Sequence, residues 1–216
     1  MKEYIQDLIS EGEHQQQDFK YCITDSKKIA KSLVAFANTE GGRLLIGVKD
    51  NGKIAGVRSE EEFYMVEGAA DLYCKPVVKF ETKSWNVNGK VVLEVIVEES
   101  SNKPHMAKDR SGVWMAYRRV QDQNILVNKV QLEVWKRQNE KIPVKIEYSE
   151  REKILLNHLK NNEVISLMRF CKLAMIPEKE AEEILISFVQ LNILEIIFTE
   201  QNVLYKLVNE DVLNEI

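Results

Sequence analysis

The sequence predicts an α+β fold: a mixed sheet with flanking helices over residues 1–140, a linker over 141–148 and a small α+β module over 149–216. Three observations predict it. Helix-like and strand-like patterns interleave through the first part of the chain. Asn88-Gly89, a strong short hairpin signal, separates two β-rich runs. After Pro143, three helix-like segments are followed by a second hairpin pattern.

Taken in order, Glu3 to Ser10 reads as a short amphipathic helix, and the polar run Glu11 to Asp18 leads into Phe19-Lys20. Asp25 or Ser26 can cap the next helix, whose apolar residues Ile29, Leu33, Phe36 and Ala37 form one stripe. That helix stops at Asn38-Thr39-Glu40-Gly41-Gly42, where consecutive glycines admit positive φ. Leu44-Leu45-Ile46-Gly47-Val48 is a continuous apolar run, as expected of a strand covered on both faces. It delivers Lys49 and Asp50 to an edge, and Asp50-Asn51-Gly52 is turn chemistry that puts Asp50 at the rim of a hairpin from Lys49 to Val57. Ser59 with Glu62 makes a capping box for a helix to about Tyr73, closed by Pro76. Val77 to Val87 and Lys90 to Glu98 are strands, Ser101 to His105 a loop, Val113 to Val120 a strand, and Asn128 to Asn139 a helix that ends the first domain.

In the second module, Ser149 to Lys160, Ser166 to Leu173 and Pro177 to Leu191 read as helices. Ile193 to Phe198 and Val203 to Val208 then flank the turn Thr199 to Asn202. Helix-helix-helix-strand-strand is the order of a winged helix. The third helix, however, opens Pro177-Glu178-Lys179-Glu180-Ala181-Glu182-Glu183. Four glutamates there would repel phosphate in a major groove, which favours dimerisation or partner docking for this module.

Composition excludes several classes. With 44% hydrophobic and 30% charged residues the chain is not disordered. Its start lacks the apolar segment of a signal peptide, and the most apolar window, Ile184 to Phe198, is broken by Gln190, Asn192 and Glu195, so a cytoplasmic protein without a membrane span is expected. Cys22, Cys74 and Cys171 have no metal-ligand or disulfide spacing and read as buried free thiols. Net charge is −4, unevenly spread: residues 146–216 hold 7 Lys/Arg against 13 Asp/Glu, whereas Ser101 to Arg137 holds 8 basic and 3 acidic residues. Such a local excess is read either as a phosphate-binding patch or as a solvated basic face.

The run Gly47-Val48-Lys49-Asp50-Asn51-Gly52-Lys53-Ile54 nearly fits a phosphate loop, but Ile54 stands where Ser or Thr should bind Mg²⁺, and a strand, not a helix, follows. ATP hydrolysis is disfavoured. His14, His105 and His158 are scattered and form no triad pattern, with His105 nearest the basic patch. Trp85, Trp114 and Tyr117 fall in strands, where they pack in a core or stack bases. Trp114, Ala116 and Arg118 share one strand face; Met115, Tyr117 and Arg119 share the other, so one arginine projects from each side.

Glu13, four residues and then Asp18-Phe19-Lys20; Ala35-Phe36-Ala37-Asn38-Thr39-Glu40-Gly41-Gly42; and Leu44 to Asp50 together make the first domain resemble the AlbA-like domain of the Schlafen family. The resemblance continues through Gly56-Val57, Lys103-Pro104-His105 and Tyr117-Arg118-Arg119-Val120, over about residues 5 to 138. The trailing module resembles the winged-helix tails that accompany this domain in bacterial proteins labelled transcriptional regulators. The family domain is described as nucleic-acid-binding and has also been called a divergent AAA domain. In the vertebrate Schlafen nucleases three carboxylates cut transfer and ribosomal RNA with a divalent metal. Their positions match Glu13, Asp18 and Asp50 here, with aspartate at 18 in place of the more usual glutamate. The resemblance thus implies Mg²⁺ or Mn²⁺ on these three acids, with Lys20, Arg43, Lys49, Lys103, Arg118 and Arg119 as candidate phosphate ligands, Arg119 favoured. The vertebrate cores contain two lobes and this chain one, so a comparable groove requires a homodimer.

The expected function is therefore nucleic-acid binding, to DNA or RNA, in transcription regulation. The alternatives are a metal-dependent endoribonuclease acting on structured RNA such as transfer RNA, and a protein-interaction platform.

Overall fold

The apolar run that begins at Leu44 feeds two hydrophobic cores at once. Leu44 and Ile46 join Ile29, Leu33, Val34 and Phe36 on one side, whereas Leu45 and Val48 join Ile5, Leu8, Phe19 and Val92 on the other. The pleat sends Leu44 and Ile46 to one face and Leu45 to the other, so this stretch, buried on both sides, is apolar; Gly47, at φ 94°, breaks the alternation and leaves Val48 on the Leu45 side. The computed structural model describes residues 2–57, 60–144 and 149–209. It forms two units, Met1–Val127 and Asn128–Ile216.

The first unit is built from α1 (Lys2–Glu11), β1 (Gln17–Lys20), α2 (Ser26–Ala37), β2 (Gly42–Ile46), α3 (Glu61–Tyr73), β3 (Cys74–Lys75), β4 (Glu81–Val87), β5 (Lys90–Val97), β6 (Met106–Lys108), β7 (Trp114–Val120) and β8 (Gln123–Leu126). One sheet has the order β1-β2-β5-β4, with β1 parallel to β2 and the other pairs antiparallel. A second, antiparallel sheet has the order β3-β6-β7-β8. Helix α2 contacts strands of both sheets, which is why Ile29, Leu33, Phe36 and Ala37 and also Ala30, Val34 and Ala35 are buried. The fold is α+β, a mixed sheet with flanking helices. β1, β3, β6 and β8 have only two to four residues; such short runs show no period in sequence.

Local chemistry sets the boundaries. The Asp25 carboxylate caps α2 by accepting the Lys27 N–H at 2.9 Å. After the helix, a Cβ on Gly42 would lie 2.4 Å from the Phe36 ring, so the chain turns where only glycine fits. Both turn residues of the β4–β5 hairpin, Asn88 and Gly89, have positive φ, 53° and 77°, the type I′ geometry that suits strand twist. Helix α3 starts at Glu61, and Glu60 before it makes no side-chain cap bond; Ser59, the expected cap, lies outside the described residues. Val48 pairs with Ile54 across the Asp50 turn, so the chain after Lys53 is extended at Ile54 rather than helical.

The second unit contains α4 (Lys129–Asn139), α5 (Glu150–Asn161), β9 (Ile165–Ser166), α6 (Leu167–Ala174), α7 (Glu178–Gln190), β10 (Leu194–Phe198) and β11 (Val203–Leu207), with the antiparallel sheet order β10-β11-β9. Sequence reading puts the helix at 128–139 in the first domain, but Val130 and Val134 pack in the second core with Leu155, Phe170, Leu185 and Phe188. Asn128 caps it by accepting the Gln131 N–H at 3.0 Å and donates to the Tyr205 hydroxyl at 3.0 Å. The boundary falls after Val127, earlier than residue 140. The acidic start of α7 is also occupied: Glu182 pairs with Lys129, Glu183 with Arg137, and Glu180 with Arg151. Helices α4 and α5 thus supply the cations that sequence position alone did not assign to these glutamates.

Candidate nucleic-acid interface

The three acids implied by the resemblance are placed differently from one another. Asp18 is buried on β1, with Lys20 Nζ 2.7 Å and Arg119 Nη2 3.7 Å from its oxygens and the Ser32 hydroxyl donating at 3.3 Å. Glu13 accepts the Phe19 N–H at 2.8 Å. Burial first, and then a hydrogen bond with Asp18, push the Glu13 carboxyl above the usual range, while the Phe19 N–H and Lys20 pull it down. Asp50 is exposed on its turn. Among the described residues no three Asp, Glu, His or Cys side chains gather as a group able to hold a metal ion. The donor set does not fit a three-carboxylate centre: two acids are adjacent but already matched by Lys20 and Arg119, and the third stands apart from them.

The six basic residues that sequence assigns to phosphates are mostly engaged in the fold. Arg119 is 1% exposed; its guanidinium donates to the carbonyls of His14 (3.4 Å) and Gln17 (3.0 Å) and to Asn124 Oδ1 (3.2 Å), and lies over the Phe36 ring. The preference for Arg119 as the groove-facing arginine is therefore overturned. A strand covered on both faces gives alternation no power to choose a solvent side, and Arg118 is itself half-buried, its guanidinium pulled down by burial. Arg43 approaches the fully buried Glu94 at 3.4 Å and donates to the Tyr4 hydroxyl at 3.0 Å. Lys103 meets Glu99 at 2.5 Å. Lys49 is the exposed member of the six and lies over the Tyr21 ring. Trp85 donates to Glu94 at 2.8 Å and packs on Tyr4, a structural use of that aromatic.

The Ala35-to-Gly42 signature ties these parts together. The Asn38 side chain donates to the carbonyls of His105 and Tyr117, each at 2.8 Å, and accepts the His105 N–H at 2.8 Å. The Thr39 hydroxyl donates to the Ala35 carbonyl at 2.7 Å and accepts the Arg119 N–H at 2.9 Å. Residues at one helix end thereby fix the Lys103-Pro104-His105 loop and strand β7.

A basic cleft that sequence reading missed opens at the start of α2. It measures about 130 Å³ and is lined by Lys27, Lys28 and Lys31 from α2, Lys108 and Arg110 from β6 and its turn, with Asp25, Asp109 and Tyr117. Five cations face two carboxylates, and both acids have internal work. Asp25 accepts the Arg110 guanidinium at 3.0 Å as well as the Lys27 N–H; Asp109 accepts the Ser111 hydroxyl and the Val113 N–H. The Arg110 bond holds the Asp25 carboxyl below its usual range, and the Ser111 bond does the same for Asp109. Three lysines lie against aromatic rings: Lys31 over Tyr117 at 4.6 Å, Lys27 over Tyr73 at 5.5 Å and Lys108 over Trp114 at 5.7 Å. Burial lowers the Lys31 ammonium from its ordinary value, a cost that a bound anion would offset. The i, i+4 spacing of Lys27 and Lys31 on a helix was the available signal; their convergence with Lys108 and Arg110 was not.

The family model described as Schlafen, AlbA_2 matches residues 13–128, over half of the chain. Among solved structures, the chain is similar to the DIP2311 protein of Corynebacterium diphtheriae at 22% identity, over 57% of this chain and 24% of that one, with a TM-score of 0.42. It is also similar to the N-terminal domain of an ATP-dependent DNA helicase RecG-related protein of Nitrosomonas europaea at 24% identity, over 58% of this chain and 95% of that one, with a TM-score of 0.40. The chain thus spans about a quarter of DIP2311. No curated protein matches it at a significant level. Since the matched residues contain the Ala35-to-Gly42 signature and end beside the boundary at Val127, the chain belongs to the Schlafen, AlbA_2 family.

Proposed function

We propose that the first unit binds nucleic acid, DNA or RNA, by its phosphates, through the cleft at the start of α2. The carrying observation is the convergence of Lys27, Lys28, Lys31, Lys108 and Arg110 on one small cleft. A space of about 130 Å³ suits a phosphate group and is too small for a nucleotide, so the contact positions a backbone rather than reading bases. The positive end of α2 adds to the field. The family assignment supports the same reading.

The test is fluorescence anisotropy with single- and double-stranded DNA and RNA oligonucleotides. Lys31→Glu with Lys108→Glu should abolish binding at moderate salt, and unchanged affinity overturns the cleft. A metal-dependent endoribonuclease on Glu13, Asp18 and Asp50 is not favoured by the donor arrangement. For the second unit, the order α5-β9-α6-α7-β10-β11 supports a winged-helix-like module. The ion pairs on Glu180, Glu182 and Glu183 favour partner docking over groove reading. A regulator that holds nucleic acid with one unit and a partner with the other is the resulting picture.

A further inference from the structure

Strand β4 is the open edge of the β1-β2-β5-β4 sheet. The opposite edge, β1, is buried over Gln17 to Phe19, and the Gln17 carbonyl already accepts the Arg119 guanidinium and the His14 N–H. On β4, by contrast, Glu81, Lys83, Ser84 and Asn86 are exposed. The two-residue type I′ turn makes Val87 and Lys90 a mutually hydrogen-bonded pair. By the alternation of an antiparallel ladder, Glu81, Lys83 and Trp85 turn their backbone groups toward β5, and Thr82, Ser84 and Asn86 turn theirs toward the open side.

We propose that this edge pairs with β4 of a second copy of the chain, antiparallel and centred on Thr82, joining two four-stranded sheets into one. At that centre Thr82 exchanges both backbone hydrogen bonds with its own twin. Glu81 then falls opposite the second copy's Lys83, and Lys83 opposite its Glu81, two ion pairs produced by one two-fold axis. Neighbouring registers fail on charge. Centring on Lys83 sets lysine against lysine, and centring on Glu81 sets glutamate against glutamate. Centring on Ser84 leaves both charges without a partner. A lysine on an edge strand ordinarily discourages pairing; with Glu81 two residues away it selects this register instead.

The face of the sheet next to this edge is shaped for cover. A groove of about 660 Å³, lined by Val57, Phe63, Tyr64, Thr82, Ser84 and Leu93, runs beside β4, and Tyr64 is 61% exposed. In the proposed register the second copy's Phe80 stands opposite Ser84, on the groove side. Nucleic-acid binding at the α2 cleft does not depend on this interface.

The experiment is sedimentation velocity over a concentration series, with urea unfolding as the control for fold. Wild type is expected to show a concentration-dependent dimer. Lys83→Glu should weaken association about tenfold, since it sets two like-charge pairs opposite each other. Adding Glu81→Lys to Lys83→Glu should restore it, because the swapped charges pair again. Thr82→Pro should abolish the dimer while keeping the β4–β5 ladder, since the lost N–H is the outward one. A wild type that stays monomeric throughout overturns the proposal, as does a dimer indifferent to Thr82→Pro or not rescued by the charge swap.

Discussion

Asn38 and His105 bind each other twice, the Asn38 amide donating to the His105 carbonyl and its oxygen accepting the His105 N–H, both at 2.8 Å. Both residues are buried, so neither bond has water as an alternative partner. Asn38→Ala leaves buried donors and acceptors unmet on the loop and on the Tyr117 carbonyl. The expected cost is about 2–4 kcal/mol, read as a lowered midpoint in urea unfolding.

His105 makes stability depend on pH. Its Nδ1 lies 3.0 Å from the Pro76 carbonyl, which can only accept, so Nδ1 carries the proton and Nε2 accepts from the Ser100 hydroxyl at 2.8 Å. Burial, helped by Lys103, pulls the imidazole below its ordinary 6.5, against the Pro76 bond. A depressed value in the folded state means the unfolded chain takes up the proton first. The contribution is present above pH 6.5 and lost as pH falls through the lower folded value. Unfolding free energy should therefore decline on acidification below that point, with a shallower slope in His105→Gln.

Gly42→Ala places a Cβ 2.4 Å from the Phe36 ring. The ring is fully buried and sits under the Arg119 guanidinium, so it has little room to move. A loss of about 3 kcal/mol is expected from the overpacking, measured by thermal or urea unfolding.

Arg119→Met should separate structure from binding. It removes a buried cation from Asp18 and from the carbonyls of His14 and Gln17, a loss of about 3–5 kcal/mol. Where the variant remains folded, oligonucleotide affinity should match wild type; a tenfold loss there would restore Arg119 as a phosphate ligand.

For the α2 cleft, the plot of log affinity against log salt concentration should flatten by about one for each cation removed among Lys28, Lys31 and Lys108. The loss should be similar across oligonucleotide sequences, because phosphates are alike in all of them. An unaltered slope would show that these lysines do not meet phosphate.

Much of the architecture was legible because it rests on local chemistry. The α2 stripe with its Asp25 cap, the Asn88-Gly89 hairpin and the two-sided burial of Leu44 to Val48 each follow from spacing and turn preference within a few residues. The family signature is likewise a contiguous string. Charge was not legible in this way. The basic excess over Ser101 to Arg137 is divided in three dimensions: Lys103 meets Glu99, Arg119 is buried, Lys129 and Arg137 neutralise glutamates of α7, and Lys108 and Arg110 join the α2 cleft.

What the sequence by itself determined, then, is the membership of the family, the order of most elements and the turns that join them. What the tertiary structure decided is which charges meet. It placed α4 in the second unit, set Asp18 against Lys20 and Arg119, and assembled a cleft from Lys27, Lys28 and Lys31 with Lys108 and Arg110, nearly eighty residues away along the chain. Periodicity and turn chemistry act between near neighbours, whereas an ion pair forms wherever folding brings two groups within a few ångströms, and no spacing in the chain encodes that distance.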